Sequence, residues 1–224
     1  MHIHILMQMD GIKKVIIIMI ISAFLLHSFS LIQPNLRYVK ADSTLPKFFV
    51  DDDFNSSTPG WQSDHFDRIQ DAIDEASSGD RIIVYEGTYT ENIVIDKPVS
   101  LFGEDVDQVI IDGGREGSVI SIQSSNVDFS TFTIKKSGNN NTDAGIKITS
   151  SAQYCEIVEN KITDCINGLY VNRCDNTLFS QNHIYETKNA TFFISSDKNT
   201  IEYNYIYDND MHGIFLNRTC EDNT

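Results

Sequence analysis

A repeat of about 22 residues constrains this chain more than any other feature. Three windows follow one another in steps of 22: Ile157-Val-Glu-Asn160-Lys-Ile162, Phe179-Ser-Gln-Asn182-His-Ile184 and Ile201-Glu-Tyr-Asn204-Tyr-Ile206. A second element recurs in steps of 22 or 23: Gly145-Ile-Lys-Ile148, Gly168-Leu-Tyr-Val171, Thr191-Phe-Phe-Ile194 and Gly213-Ile-Phe-Leu216. Apolar residues alternate with others inside each element, which is the period of a strand and not of a helix.

A unit this short cannot bury its own apolar face, but stacked copies can. Each coil would pair its strands with the coil below, about 4.8 Å away. The inner columns would be Ile148/Val171/Ile194/Leu216, Ile157/Phe179/Ile201 and Ile162/Ile184/Ile206. Asn160, Asn182 and Asn204 would mark one corner, chosen because Asn tolerates turn dihedrals and its amide can bond to the next coil. The expected fold is all-β: a single-stranded parallel β-helix with an N-terminal capping α-helix. Less regular strands at Ile82, Ile93, Val99, Val109, Val119 and Phe132 extend it to about six coils over 82–224. The polar insertion 137–143 should protrude as a loop. With 30 Ile and 18 Asn among 224 residues, the composition suits short strands broken by tight turns.

Before the coils, Phe66, Ile69, Ile73 and Ala76 share a helical face, with Ser63 or Asp64 as the start cap and Gly79 at the end. Together with Trp61, this helix would close the apolar end of the solenoid. At the N-terminus, Lys13-Lys14 precede the apolar run 15–26, and Val39-Lys40-Ala41 follows, the layout of a secretory signal. The chain thus reads as a signal peptide over 1–41, an entry segment over 42–62, a cap helix over 63–79 and a β-helix over 80–224. Export places it in a secreted, periplasmic or cell-surface setting, with no membrane attachment after cleavage. The net charge is −15 and becomes −18 without residues 1–41, a surface that repels nucleic acid. The chain stops at Cys220-Glu-Asp-Asn-Thr224 inside what the repeat makes a further coil. The expectation is a longer natural protein or end-to-end self-association through that coil.

The stretch Phe66-x-x-Ile69-Gln70-x-Ala72-Ile73-x-x-Ala76-x-x-Gly79-Asp80-x-Ile82-x-Val84-x-x-Gly87-x-Tyr89-x-Glu91 resembles the cap and first coil of right-handed parallel β-helix proteins of the pectate-lyase-like superfamily. The later Asn-x-Ile repeats resemble its NosD-type branch of carbohydrate-binding and sugar-hydrolysis domains. The resemblance covers about 48–224. It implies a right-handed solenoid, while its members range over lyases, esterases, epimerases, adhesins and surface proteins.

Three groups of residues are candidates for a site. Asp164, Glu186 and Asp208 fall in register at one corner, and stacked carboxylates of this kind suit calcium or are simply a solvated turn. Asp208, Asp210 and His212 lie in the densest polar stretch and are the catalytic candidates. This stretch faintly resembles the Asp/His strand of alginate-epimerase β-helices, whose full Asp-Pro-His-Asp motif is absent. Tyr170, Phe193 and Phe215, in register with Lys147, form an outward stripe. His183/Tyr205 and Tyr185/Tyr207 form a second. Aromatic faces of this kind stack on sugar rings, or on one another. Asp51-Asp-Asp53 could bind a cation or be a solvated entry run. Cys174, His183, Met211 and His212 are too scattered for copper, and no metal-type Cys spacing occurs.

The leading expectation is an exported glycan-interacting module without catalysis. The rivals are a polysaccharide-active lyase, esterase or epimerase, and a structural surface or adhesion protein. N-terminal sequencing of exported protein should begin at Asp42. Recovery of an intact Met1 terminus from membranes would contradict cleavage.

Overall fold

The computed structural model describes residues 45–149, 152–217 and 220–224, so the signal segment lies outside the described residues. The alternating segments fold into short strands that are all paired in parallel. Before the coils come β1 (Phe48–Val50), β2 (His65–Phe66) and α1 (Ile69–Glu75). Coil 1 holds β3 (Arg81–Val84), β4 (Gly87–Thr90) and β5 (Ile93–Ile95), and coil 2 holds β6 (Ser100–Gly103), β7 (Val109–Asp112) and β8 (Ile120–Ile122). Coil 3 holds β9 (Asp128–Ser130), β10 (Thr133–Lys135) and β11 (Ala144–Ile148), and coil 4 holds β12 (Glu156–Val158), β13 (Lys161–Thr163) and β14 (Asn167–Asn172). Coil 5 holds β15 (Leu178–Ser180), β16 (His183–Tyr185) and β17 (Asn189–Ile194), and coil 6 holds β18 (Thr200–Glu202), β19 (Tyr205–Tyr207) and β20 (His212–Asn217).

The first strand of every coil joins one sheet, continued downward by β1 and β2. The second and third strands form two further sheets of six. Chain pairs only with chain one coil away, so each side chain sits above its counterpart. The inner residues Leu101, Phe129, Ile157 and Phe179 of the first sheet, Ile111, Ile134, Ile162 and Ile184 of the second, and Ile122, Ile148 and Val171 of the third are fully buried. The 22-residue step holds from coil 4 upward. Between Leu101 and Phe129, and again between Phe129 and Ile157, it is 28. In the first interval loop 104–108 lengthens the corner between the first and second sheets and loop 113–119 adds to the next corner. In the second interval loop 136–143 enlarges the corner between the second and third sheets.

One expected column is corrected. Val171 pairs with Phe193, not Ile194, and Tyr170 with Phe192. The expected alignment set Thr191 opposite Gly168, whereas Ala190 stands there. Gly168 itself admits no side chain, because a Cβ there would lie 2.5 Å from the Ala190 carbonyl oxygen and 2.5 Å from Ile184 Cγ2, and the small Ala190 continues its column. Phe193 is therefore a core residue, edge-on to Phe179 at 5.3 Å, and Phe192 takes the outward place.

Of the two expected causes of the Asn column, the amide bond to the next coil holds, from Asn160 to Asn182 and from Asn182 to Asn204, and the turn dihedral does not. The left-handed residues at that corner are Thr131, Glu159, Gln181 and Tyr203, one position earlier. Asn160 and Asn182 are instead buried amide brackets. Each Oδ1 accepts the backbone N–H of the coil below: Phe132 to Asn160 at 3.1 Å, Asn160 to Asn182 at 3.1 Å and Asn182 to Asn204 at 2.9 Å. Each Nδ2 returns a bond to the carbonyl of Phe129, Ile157 or Phe179. The bracket satisfies main-chain groups that leave the sheets at the corner.

The cap helix is shorter than the expected 63–79. It runs over Ile69–Glu75, because Gly60 O accepts the N–H groups of Ser63, Asp64 and His65 in a turn, and Phe66 joins β2. No local side chain caps its start. The buried Glu91 carboxylate of coil 1 accepts the N–H groups of Ile69 at 2.9 Å and Gln70 at 3.1 Å. Lys97 Nζ closes the other end on the carbonyls of Asp74 and Ala76. The helix buries Ile69, Ala72 and Ile73 against the start of the solenoid. On the far side of coil 6, Ile214 and Leu216 lie in inner columns yet are 53% and 47% exposed.

All four cysteines are free thiols. Burial pushes Cys174 up to about 12 and Cys165 up to about 11, so neither is a ready nucleophile.

The corrected register predicts unequal effects for two adjacent residues. Phe193→Ala should cost about 3–5 kcal/mol of unfolding free energy as a large-to-small core change, whereas Phe192→Ala should lose about 0.5–1.5 kcal/mol of ring stacking. Urea titration of the two variants checks the order. Equal losses would contradict it.

Candidate functional site

The outer faces of the second and third sheets carry rows of rings, one per coil. On the third sheet the row is Lys147, Tyr170, Phe192 and Phe215. Lys147 Nζ stands 5.6 Å from the Tyr170 ring centre. Tyr170 and Phe192 are nearly coplanar in orientation at 5.7 Å and 4°, and Phe192 and Phe215 follow at 4.7 Å and 23°. On the second sheet His183 and Tyr205 are 4.7 Å apart, and Tyr185 and Tyr207 are 5.2 Å apart with a 2° interplanar angle. With ring planes about 3.5 Å apart, a 5.2 Å separation displaces one ring across the next by about 4 Å. Tyr185 and Tyr207 overlap like tiles, and part of each face is left uncovered by the other.

Accessibility differs between the rows. Tyr205 and Tyr207 are 63% and 46% exposed, while Tyr170 is only 8% exposed and Phe215 is half-buried. Phe193, expected in the outward stripe, is in the core for the reason given above. Phe192, the missed member, was legible in principle from the Gly145/Gly168/Ala190/Gly213 column of small residues.

The corner between the second and third sheets holds the charges. Lys136, Asp164, Glu186 and Asp208 occupy one column, all with positive φ. Each N–H donates to the next carbonyl: Lys136 to Asp164, Asp164 to Glu186 and Glu186 to Asp208, all at 3.1 Å. Asp is among the residues that tolerate this conformation, so turn geometry suits Asp164 and Asp208, while Glu186 and Lys136 adopt it without that preference. The carboxylates do not gather around one point. Asp164 is engaged by Arg115 at 2.6 Å, a cation from loop 113–119 that the 22-residue step did not place there. Among the described residues, the one set of three acidic, His or Cys side chains with ligand atoms within 4.8 Å of one another is Asp51, Asp52 and Asp53. Two of these have structural partners. Asp51 accepts the Asp53 N–H at 2.9 Å, and Asp52 accepts the Thr88 N–H at 3.2 Å. Burial first, and then the Asp52 and Asp51 charges, push the Tyr89 hydroxyl upward.

A second cluster was not foreseen. The Asp112 carboxylate, at the end of β7, meets Lys136 at 2.6 Å and Lys135 at 3.8 Å, and accepts the Gly114 N–H at 3.0 Å. Burial alone would raise its pKa. The Lys136 hydrogen bond, the Gly114 N–H and the two lysine charges outweigh burial and hold it below the ordinary 3.8. On the opposite flank of the second sheet, Asp107 of loop 104–108 pairs with Lys161 of coil 4. Three lysines and an arginine thus stand on or beside this sheet in an otherwise strongly acidic chain.

Asp210 and His212 are not brought together as a pair. Asp210 donates its main-chain N–H to Thr187 O at 2.9 Å, and His212 Nδ1 bonds to Asn189 Oδ1 at 2.9 Å. Asp208 is an exposed corner residue.

Residues 101–224 match the family described as right handed beta helix region, and the chain belongs to that family. The fold class expected from the repeat and the handedness implied by the resemblance therefore hold. Among solved structures, the chain is similar to a pectin methylesterase in complex with a hexasaccharide, at 18% identity and a TM-score of 0.53, covering 71% of this chain and 56% of that one. Pectin methylesterase PemA from Erwinia chrysanthemi gives the same identity, coverage and TM-score. An alginate lyase from Paenibacillus sp. str. FPU-7 follows at 15% identity and 0.52, covering 61% and 54%. At these identities the likeness shows the fold alone. The chain spans little more than half the length of the pectin methylesterases it resembles. No curated protein matches the sequence.

A depressed carboxyl contributes stability that is present above its unfolded value near 4 and lost as pH falls through its folded value. Asp112→Asn should therefore flatten the acid limb of the stability curve by on the order of 1 kcal/mol, since Lys136 is partly solvated. Urea titrations from pH 6 to pH 2 check this. An unchanged acid limb would show that the pair contributes nothing.

Proposed function

We propose that this chain is an exported glycan-interacting β-helix of the NosD-type, carbohydrate-binding branch, acting outside the cell or at its surface. The observation that carries the reading is the pair of ring rows on the second and third sheets. Burying apolar surface in the core does not require them, and they repeat at the coil spacing. The exposed Tyr205 and Tyr207 rings, with the half-buried Phe215 on the neighbouring sheet, suit an extended polymer with C–H faces and hydroxyls. In the same two columns, Lys161 one coil below His183 and Lys135 two coils below Tyr185 supply donors for ring and hydroxyl oxygens. Export is supported by the signal layout of the sequence.

One observation favours a second reading, a polysaccharide-active enzyme. The Asp112–Lys136 and Arg115–Asp164 pairs set carboxylates and cations side by side at the edge of the tyrosine-bearing sheet. The structural neighbours include enzymes whose own names state activity on pectin and alginate.

Both readings meet one experiment. Residues 42–224 are passed over immobilised cellulose, galactan, polygalacturonate and alginate, and both retention and released product are measured. Retention that falls at least about tenfold in Tyr205→Ala with Tyr207→Ala supports the binding reading. Product release that is lost in Asp112→Asn moves the assignment to the enzyme. Neither retention nor product from folded protein contradicts both.

A further inference from the structure

His212 belongs to an amide ladder that runs opposite to the others. In the Asn160 ladder each side-chain donor points toward the next coil: Asn160 Nδ2 to Asn182 Oδ1 at 3.1 Å, then Asn182 Nδ2 to Asn204 Oδ1 at 3.0 Å. On the third sheet the order is reversed. Asn189 Nδ2 donates back to Asn167 Oδ1 at 3.1 Å.

Loop 136–143 supplies the cause. Asn167 is fully buried, and its Nδ2 donates to two loop carbonyls, Asn141 O at 3.0 Å and Asp143 O at 2.9 Å. A carbonyl oxygen can only accept, so the amide group of Asn167 has one allowed orientation. Its Oδ1 must then face coil 5, where it meets Asn189 Nδ2. The Asn189 amide is fixed in turn, and its Oδ1 is left for His212. An Oδ1 carries no proton, so the 2.9 Å bond requires the proton to sit on His212 Nδ1. Nδ1 faces coil 5, so Nε2 is directed away from it. Among the described residues Nε2 has no hydrogen-bond partner. The same imidazole stands edge-on to Phe215 at 4.8 Å, at the end of the Lys147–Tyr170–Phe192–Phe215 row.

We propose that loop 136–143, acting through Asn167 and Asn189, holds His212 as its Nδ1–H tautomer, and that Nε2 is a preset acceptor for a hydroxyl of a sugar lying against Phe215. His212 is then a specificity-determining contact, and Asn167 and Asn189 are positioning residues. Ligands with an O–H donor one contact away from the ring-stacked unit are favoured. The tautomer follows from the structure alone, whereas the sugar contact rests on the glycan-binding reading.

Two measurements keep these parts separate. The first is nitrogen-15 NMR of the imidazoles of residues 42–224 at pH 8.5, where a histidine is largely neutral. The expected result is a protonated Nδ1 and an unprotonated Nε2 for His212. In Asn189→Ala the population should shift toward the Nε2–H form. A protonated Nε2 in the unaltered protein, or an unmoved tautomer in Asn189→Ala, would overturn the proposal. The second is titration with hexamers of galacturonate and of β-1,4-linked glucose. His212→Phe keeps an aromatic ring but removes the acceptor, and should weaken whichever hexamer binds about three- to tenfold. Unchanged affinity would overturn the acceptor role. If neither hexamer binds the unaltered protein, the glycan reading fails and the acceptor role with it, while the tautomer still stands or falls on the spectra.

Discussion

Parallel pairing of each coil with the next is the constraint on which everything else rests. A three-residue strand has no stability alone, and a coil of three such strands exposes as much main chain as it satisfies. Pairing across a coil step satisfies those groups and aligns every side chain with its counterpart. Like therefore stacks on like. Ile on Ile gives the core columns, Asn on Asn gives the corner brackets, and ring on ring gives the outer rows. The two ends are different problems. Below, α1 covers the core and depends on coil 1, because the buried Glu91 caps it across 22 residues of chain.

The same rule makes the outer surface one-dimensional. A residue type placed once per coil becomes a line along the axis, matched to an extended partner. The long coils break that regularity at two corners, on either flank of the second sheet. Loops 113–119 and 136–143 bring Arg115 to Asp164 and lay carbonyls over Asn167, so local chemistry there depends on coils that depart from the repeat. This is the sort of place where a scaffold of identical coils acquires a distinct site.

The sequence carried the fold plainly, because a solenoid writes its architecture as a period. The last three coils, with equal steps and an invariant Asn, left little choice. The failures have physical reasons. Steps of 23 in the second element set Thr191 opposite Gly168, although the small residues Gly145, Gly168, Ala190 and Gly213 mark the true column; the contacts that forbid a side chain at Gly168, with the Ala190 carbonyl and Ile184, are seen only in the structure. Phe193 moved inside as a result. The helix was extended to residue 63 because an apolar period does not reveal that Gly60 O has already captured three N–H groups. The Asp112–Lys136 and Arg115–Asp164 pairs escaped notice because coils of 28 residues shift the register that the 22-residue step implied. Cross-coil amide polarity, on which the His212 tautomer depends, has no sequence signal at all.

The central claim is the register that places Tyr170, Phe192 and Phe215 in one outward line and Val171 and Phe193 in the core. Disulfide trapping tests it most directly. In-register neighbours on adjacent strands have Cα atoms about 4.8 Å apart, inside the range a disulfide spans. A chain carrying Tyr170→Cys with Phe192→Cys should form that bond on mild oxidation and keep its melting temperature. The chain with Tyr170→Cys and Phe193→Cys should not, because one side chain points outward and the other inward. Efficient trapping of the second pair, with none of the first, would contradict the register and the row of rings built on it.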